Sequence, residues 1–294
     1  MFLVKLMGGL GNQMFQYAFG RALSLKHNIP LALDLSSLGQ KTGVDTPRNY
    51  ELDIFNIEAQ IATLKEIDKF SIIHNNKILK SIHNSFSFIL PFFQVKEKQF
   101  CYNELKNDIH RNTMFVGYWQ TEKYFENIKD IIKKDFQFKE PLEGLNAELA
   151  TKIKVSNSVG MHIRRGDFIS NPVTNKYHGT CNSGYYKNAI SYLSQKISGN
   201  MKLFIFSDEP GWVKNNLQFN YETIYIENNN GAKSYEDLRL MILCKHNIIA
   251  NSSFSWWAAY LNSNVDKVVV APSQWFNNKT IDTHDLIPDG WIKM

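Results

Sequence analysis

Arg164 and Arg165 stand side by side, with His162 two positions before the pair and Asp167 two positions after it, in the stretch S-V-G-M-H-I-R-R-G-D-F-I of residues 158–169. Two adjacent guanidinium groups are poor material for a core and good material for holding a polyanion. Their planar forks match phosphate oxygens in two-pronged geometry. Two further polar clusters invite the same chemistry. Ser207-Asp208-Glu209 follows one apolar run, and Asn251-Ser252-Ser253-Phe254-Ser255 follows another. Hydroxyls and free backbone N–H groups at a helix start form an anion seat. A single serine there would be an ordinary N-cap, but Ser252, Ser253 and Ser255 exceed what one cap needs. Asp208 suits a guanine N–H edge or ribose hydroxyls, and equally a helix cap. No D-x-D occurs, so no short acidic clamp is offered to a metal–diphosphate pair. Arg164, Arg165 and the serine-bearing helix start would then have to meet the charge of a departing diphosphate without a metal. P-loop, nucleophile-elbow and metalloprotease patterns are absent as well.

These clusters need elements to aim them. Residues 159–163, 201–206, 221–226, 247–250 and 268–271 read as strands. Residues 184–197, 234–245 and 253–261 read as helices between them, with Ser234-x-x-Asp237 as a capping pattern. Strands alternating with helices indicate a parallel sheet. Open sheets of that kind bind ligands outside the carboxyl ends of their strands, where all three clusters fall. A second αβ rhythm opens the chain: an apolar run at residues 2–7, the turn Gly8-Gly9-Leu10-Gly11-Asn12, a helix from Gln13 that Asn28 and Pro30 end, and a strand at residues 31–35. The glycine turn departs from the dinucleotide fingerprint, because Met14 stands where close packing demands Gly or Ala. It reads either as a ligand loop using its backbone, Asn12 and Gln13, or as a tight turn requiring positive φ. Residues 53–111 carry no clear period. Residues 115–120 read as a strand into an aromatic corner, where Tyr118 and Trp119 fit packing better than sugar stacking, and residues 124–136 read as a helix.

With 294 residues the chain has room for two domains. The expected division is 1–150 and 151–294, with the last residues packing back on the first domain. A net charge of +5 suits an anionic small molecule and falls short of a nucleic-acid footprint. Cys101, Cys181 and Cys244 are odd in number and far apart, so neither a disulfide framework nor a metal site is signalled. No apolar run reaches 18 residues and no signal peptide is evident. The expectation is a cytoplasmic protein, free or peripheral to the inner membrane.

Taken in order, G-G-L-G-N-Q-M-F-Q from Gly8, G-Y-W-Q from Gly117, H-I-R-R-G-D from His162, F-S-D-E ending at Glu209 and N-S-S-F-S-W-W from Asn251 resemble the α-1,2-fucosyltransferases of glycosyltransferase family 11, bacterial type. The resemblance spans essentially the whole chain. It implies an α/β GT-B fold, two Rossmann-like domains facing a cleft, the first on the acceptor side and the second binding GDP-fucose. It also implies inverting transfer of L-fucose from GDP-β-L-fucose to the 2-hydroxyl of a terminal β-galactoside, with no metal and no cofactor. Arg164 would bind the β-phosphate. His162 and Asp208 would lie near guanine, with Ser253, Phe254 and Ser255 near the diphosphate. Arg165, Ser207, Ser252, Gly9, Gly11, Asn12 and Gln13 complete the expected substrate contacts. Asp167 is the nominee for general base, or else orients Arg164 or Arg165. Transfer of another sugar, and a binding module without turnover, are the alternatives.

Overall fold

Among the described residues every strand pairing of the two sheets is parallel, so the connections between strands carry the helices. The structure, a computed structural model, describes residues 1–40, 47–75, 91–105, 109–166, 169 and 171–294. Met1–Glu140 with Asp282–Leu286 forms one compact unit, and Pro141–Ile281 with Ile287–Met294 forms another.

In the first unit β1 (Phe2–Lys5), α1 (Leu10–His27), β2 (Leu31–Asp34), β3 (Gln60–Ile61), α2 (Leu64–Asn75), β4 (Phe93–Lys96), β5 (Thr113–Val116) and α3 (Lys129–Asp135) follow in turn. The strand order is β3-β2-β1-β5-β4. Met14, Phe15, Ala18 and Phe19 of α1 are buried, and Asn28 ends the helix in the left-handed region at φ 51°, as its position predicts. The expected strand at 115–120 stops at Val116, and the chain then turns. Trp119 sits at φ 56° with its ring stacked on Phe19, 4.0 Å between centroids. Glu97 accepts the N–H groups of Tyr118 at 2.7 Å and Trp119 at 3.0 Å, which fixes that turn. Trp119 is therefore core. The expected helix at 124–136 is broken into two 3₁₀ turns, Glu122–Tyr124 and Glu126–Ile128, ahead of α3. Between them Phe125 leaves helical geometry at φ −138° and is buried.

The second unit runs α4 (Gly144–Lys154), β6 (Asn157–Ile163), α5 (Pro172–His178), α6 (Ser183–Lys196), β7 (Met201–Ser207), α7 (Pro210–Asn216), β8 (Glu222–Ile226), α8 (Tyr235–Leu243), β9 (His246–Ile248), α9 (Ser253–Leu261), β10 (Val269–Ala271) and β11 (Ile292–Lys293). Its sheet has the order β11-β10-β9-β6-β7-β8. Val159, Met161 and Ile163 pack with Leu203, Ile205, Tyr185 and Leu193 on one face. Helix α9 buries Trp256 and Trp257 completely, worth about 2 kcal/mol or more for each ring. The division of the chain falls at Glu140–Pro141, so α4 lies wholly in the second unit, packed on α8. Ser234 makes no side-chain cap to α8, contrary to the capping pattern. It already has helical φ and ψ, and Asp237 is bonded instead to Asn229. The chain thus has the two Rossmann-like units of the GT-B class.

Candidate functional site

Strands β9, β6 and β7 are neighbours, and Ile163 is in register with Ser207. Their carboxyl ends therefore release the 164–166 loop, the 207–209 turn and the 251–255 segment along one edge of one sheet. The three polar clusters of the sequence meet because three adjacent parallel strands end together.

Asp208 organises this edge. Its Oδ2 lies 3.0 Å from Arg164 Nη1, and its Oδ1 accepts the Arg165 N–H at 2.9 Å. A Cβ at position 166 would come within 2.5 Å of Asp208 Oδ2, so only glycine lets the carboxylate close under the loop. Arg165 turns elsewhere: its Nε donates to Glu209 at 3.0 Å, and its guanidinium carbon lies 3.3 Å from the centre of the Trp212 ring. A stacked, ion-paired guanidinium is a fixed one. Ser207 Oγ accepts the Glu209 N–H at 3.0 Å, holding the carboxylate that holds Arg165. Arg164 is about a quarter exposed at its side chain. Asp167 lies outside the described residues.

His162, the next-to-last residue of β6, is 6% exposed, and its Nδ1 is buried without a hydrogen-bond partner among the described residues. Burial first, and then the charge of Arg164, push its pKa down to about 3. The ring is therefore neutral at working pH, one nitrogen a donor and the other an acceptor. It lies 5.7 Å from the Phe254 ring at the start of α9. Phe254 is half-buried there, beside Ser253. Ser252 occupies the N-cap position in extended geometry yet makes no side-chain cap bond. Ser255 is fully buried, its Oγ donating to the carbonyls of Ala250 at 3.4 Å and Ser252 at 3.2 Å. It braces the helix start from beneath. Asn251 donates from its amide to the carbonyls of His178, Gly179 and Trp275, tying the segment to the end of α5 and to the chain that follows β10.

The glycine turn belongs to the first unit. Gly8 has φ +74°, the conformation a tight turn demands, and Gly9 precedes α1. Gly11 is buried in the helix's first turn. Asn12 Oδ1 accepts from Gln120 Nε2 at 2.7 Å. Gln13 is fully buried; its amide donates to the carbonyls of Gly8 and Asn49 and accepts the Glu51 N–H. Gln13 thus shapes the turn with an amide engaged on both sides. Beside Gly9 stand Arg48 and Glu51. Burial pushes the Glu51 carboxyl up, against the pull of Arg48 and the Leu10 N–H. Sequence reading missed Arg48, Glu51 and the Glu209–Trp212 support of Arg165. Only F-S-D-E carried a signal for any of them, through Glu209.

Elsewhere in the second unit, a cavity of about 650 Å³ is lined by Asn157, Ser194, Lys202 and Glu222. It lies at the amino ends of β6, β7 and β8, opposite the edge that binds ligands in open parallel sheets. At the carboxyl side of β8, Asp237 accepts from Asn229 Nδ2 at 2.8 Å. Burial raises its pKa from 3.8 to about 7. A carboxyl whose proton is held more tightly in the folded state costs stability as it ionises. That contribution is best below pH 3.8, falls as the pH rises, and levels off above about 7. Asp237→Asn is expected to raise Tm by several degrees at pH 8 and by much less at pH 5. Thermal melts across that interval check it, and an unchanged pH slope would contradict it.

Guanidinium groups fixed at strand ends beside a helix start suit the diphosphate of a nucleotide sugar, the donor class of many glycosyltransferases. Among glycosyltransferases, the model of Glycosyl transferase family 11 matches residues 1–294, and the chain belongs to this family. It is 37% identical to the O-antigen biosynthesis glycosyltransferase WbnK of Escherichia coli, over 98% of this chain and 99% of that protein. It is 34% identical to an alpha-1,2-colitosyltransferase of Escherichia coli, over 99% of this chain and 98% of that one. To the galactoside 2-alpha-L-fucosyltransferase Sec1 of Mus musculus it is 22% identical, over 92% of this chain and 67% of that one. Among the described residues no helix is long and apolar enough to cross a membrane.

Proposed function

We propose that the protein transfers L-fucose from GDP-β-L-fucose to the 2-hydroxyl of a terminal β-galactoside, with inversion. The observation that carries this reading is Arg164, fixed by Asp208 where β6 and β7 end, beside the start of α9 in a family 11 chain. In this reading Arg164 binds the β-phosphate and meets its growing charge as the sugar–oxygen bond breaks. The first-turn amides of α9, with Ser252 and Ser253, receive phosphate oxygens. Neutral His162, with Asp208 near it, takes the guanine, and Phe254 lies near the diphosphate. Arg165 positions the loop through Glu209 and Trp212, while Asp208 acts through the arginines. Asp167 is proposed as the base that takes the acceptor proton, or as a residue that orients the arginines. The acceptor is a galactose-ended oligosaccharide or lipid-linked glycan.

The 34% identity to a colitosyltransferase favours a second reading. Colitose is L-fucose without its 3-hydroxyl, so the two donors differ in a single polar group. A site that hydrogen-bonds that hydroxyl rejects the deoxy sugar by roughly 10⁴-fold. Purified protein is incubated with lactose and either GDP-fucose or GDP-colitose, without added divalent metal, and the product linkage is read by NMR. An α-1,2-linked fucosyl product, formed faster than any colitosyl product, is expected. Transfer from GDP-colitose alone would select the second reading. Donor binding without any transfer would indicate a binding module.

A further inference from the structure

We propose that Cys101, Asp282 and His284 bind a divalent transition-metal ion, zinc by the chemistry of the set, as a structural clip within the first unit. One ligand atom from each residue lies within 4.8 Å of the other two. Zinc takes thiolate sulfur at about 2.3 Å and imidazole nitrogen and carboxylate oxygen at about 2.0–2.2 Å. Side-chain movement of about an ångström would therefore close the set. A mixed sulfur, nitrogen and oxygen set suits zinc and excludes calcium and magnesium, which prefer oxygen alone.

The turn is already shaped for this. Asp282 Oδ1 accepts the His284 N–H at 3.0 Å and lies 2.8 Å from His284 Nδ1, so both side chains face the same side. An independent observation comes from Asp285. Its side chain is only 2% exposed, and Oδ1 is buried with no hydrogen-bond partner among the described residues. Its Oδ2 accepts the Tyr102 N–H at 2.9 Å and lies 3.6 Å from Lys123 Nζ and 3.8 Å from His284 Nε2. A carboxylate oxygen buried without a partner is costly. A cation held by the neighbouring triad, whose His284 Nε2 lies 3.8 Å from the other oxygen of this carboxylate, would compensate it. The clip would fasten segment Asp282–Leu286, the short return of the chain to the first unit, to the Cys101 loop. The pairing escaped sequence reading because Cys101 lies far from the 282–284 turn along the chain.

The full chain, stripped of metal by chelation and dialysis, is titrated with cobalt(II). We expect one equivalent bound, with a thiolate-to-cobalt charge-transfer band that zinc abolishes by displacement. Cys101→Ser removes the band, Cys181→Ser keeps it, and His284→Ala weakens binding by roughly tenfold or more. His284 is exposed, so its variant remains informative if Cys101→Ser fails to fold. Absence of the band, or equal affinity in wild type and His284→Ala, would overturn the assignment.

Discussion

Arg164→Lys is expected to lower kcat/KM by roughly 10²–10³-fold, the size of loss that follows removal of one preorganised donor to developing charge. Lysine keeps the positive charge, so long-range attraction of an anionic donor survives. It loses the planar fork that can grip Asp208 with one nitrogen and present the others to phosphate. The pair with Asp208 is partly exposed on both sides, at 24% and 23%. Its contribution to stability is therefore only about 0–1 kcal/mol. Near-wild-type Tm with a severe loss of turnover is the expected combination. Near-normal turnover would remove Arg164 from its assigned role.

Asp208→Asn is expected to cost roughly 100-fold in kcat, the penalty of misplacing a catalytic group by about an ångström. The substitution preserves shape, and its carbonyl still accepts the Arg165 N–H that Oδ1 now holds at 2.9 Å. What it loses is the charge that holds Arg164 Nη1 at 3.0 Å, replaced by an amide that can present a donor to a donor. Because Asp208 acts through the arginines, kcat should fall while Tm moves little. Stopped or progress-curve kinetics separating kcat from KM, together with a melt, check the split. An equal fall in stability and activity would make Asp208 a structural residue only.

Sequence alone carried far into the second unit, for a definite reason. Helix α9 follows from a run whose Trp256 and Trp257 are both buried, and β7 and β10 lie in the largely apolar runs M-K-L-F-I-F and V-V-A. The meeting of Arg164, Asp208 and Ser252 follows from topology, since adjacent parallel strands end on one edge. What each cluster member holds was not legible. Nothing local distinguishes Arg164, paired with Asp208, from Arg165, stacked on Trp212 and bound to Glu209. Ser255 looked equivalent to Ser253 and is instead sealed beneath the helix. In the first unit β3 is two residues long, too short to register a period. Trp119 turned inward because Glu97, distant in sequence, holds its backbone.

The proposed site holds a nucleoside diphosphate at the carboxyl edge of β6 and β7 through Arg164. Calorimetric titration of wild type and Arg164→Lys with GDP and with GMP tests it most directly, because only GDP carries the second phosphate. Wild type is predicted to bind GDP at least roughly tenfold more tightly than GMP, the worth of one strong charge-assisted contact. In Arg164→Lys that preference should largely vanish while GMP affinity is kept. A variant that retains the full preference for GDP would show that Arg164 does not hold the β-phosphate.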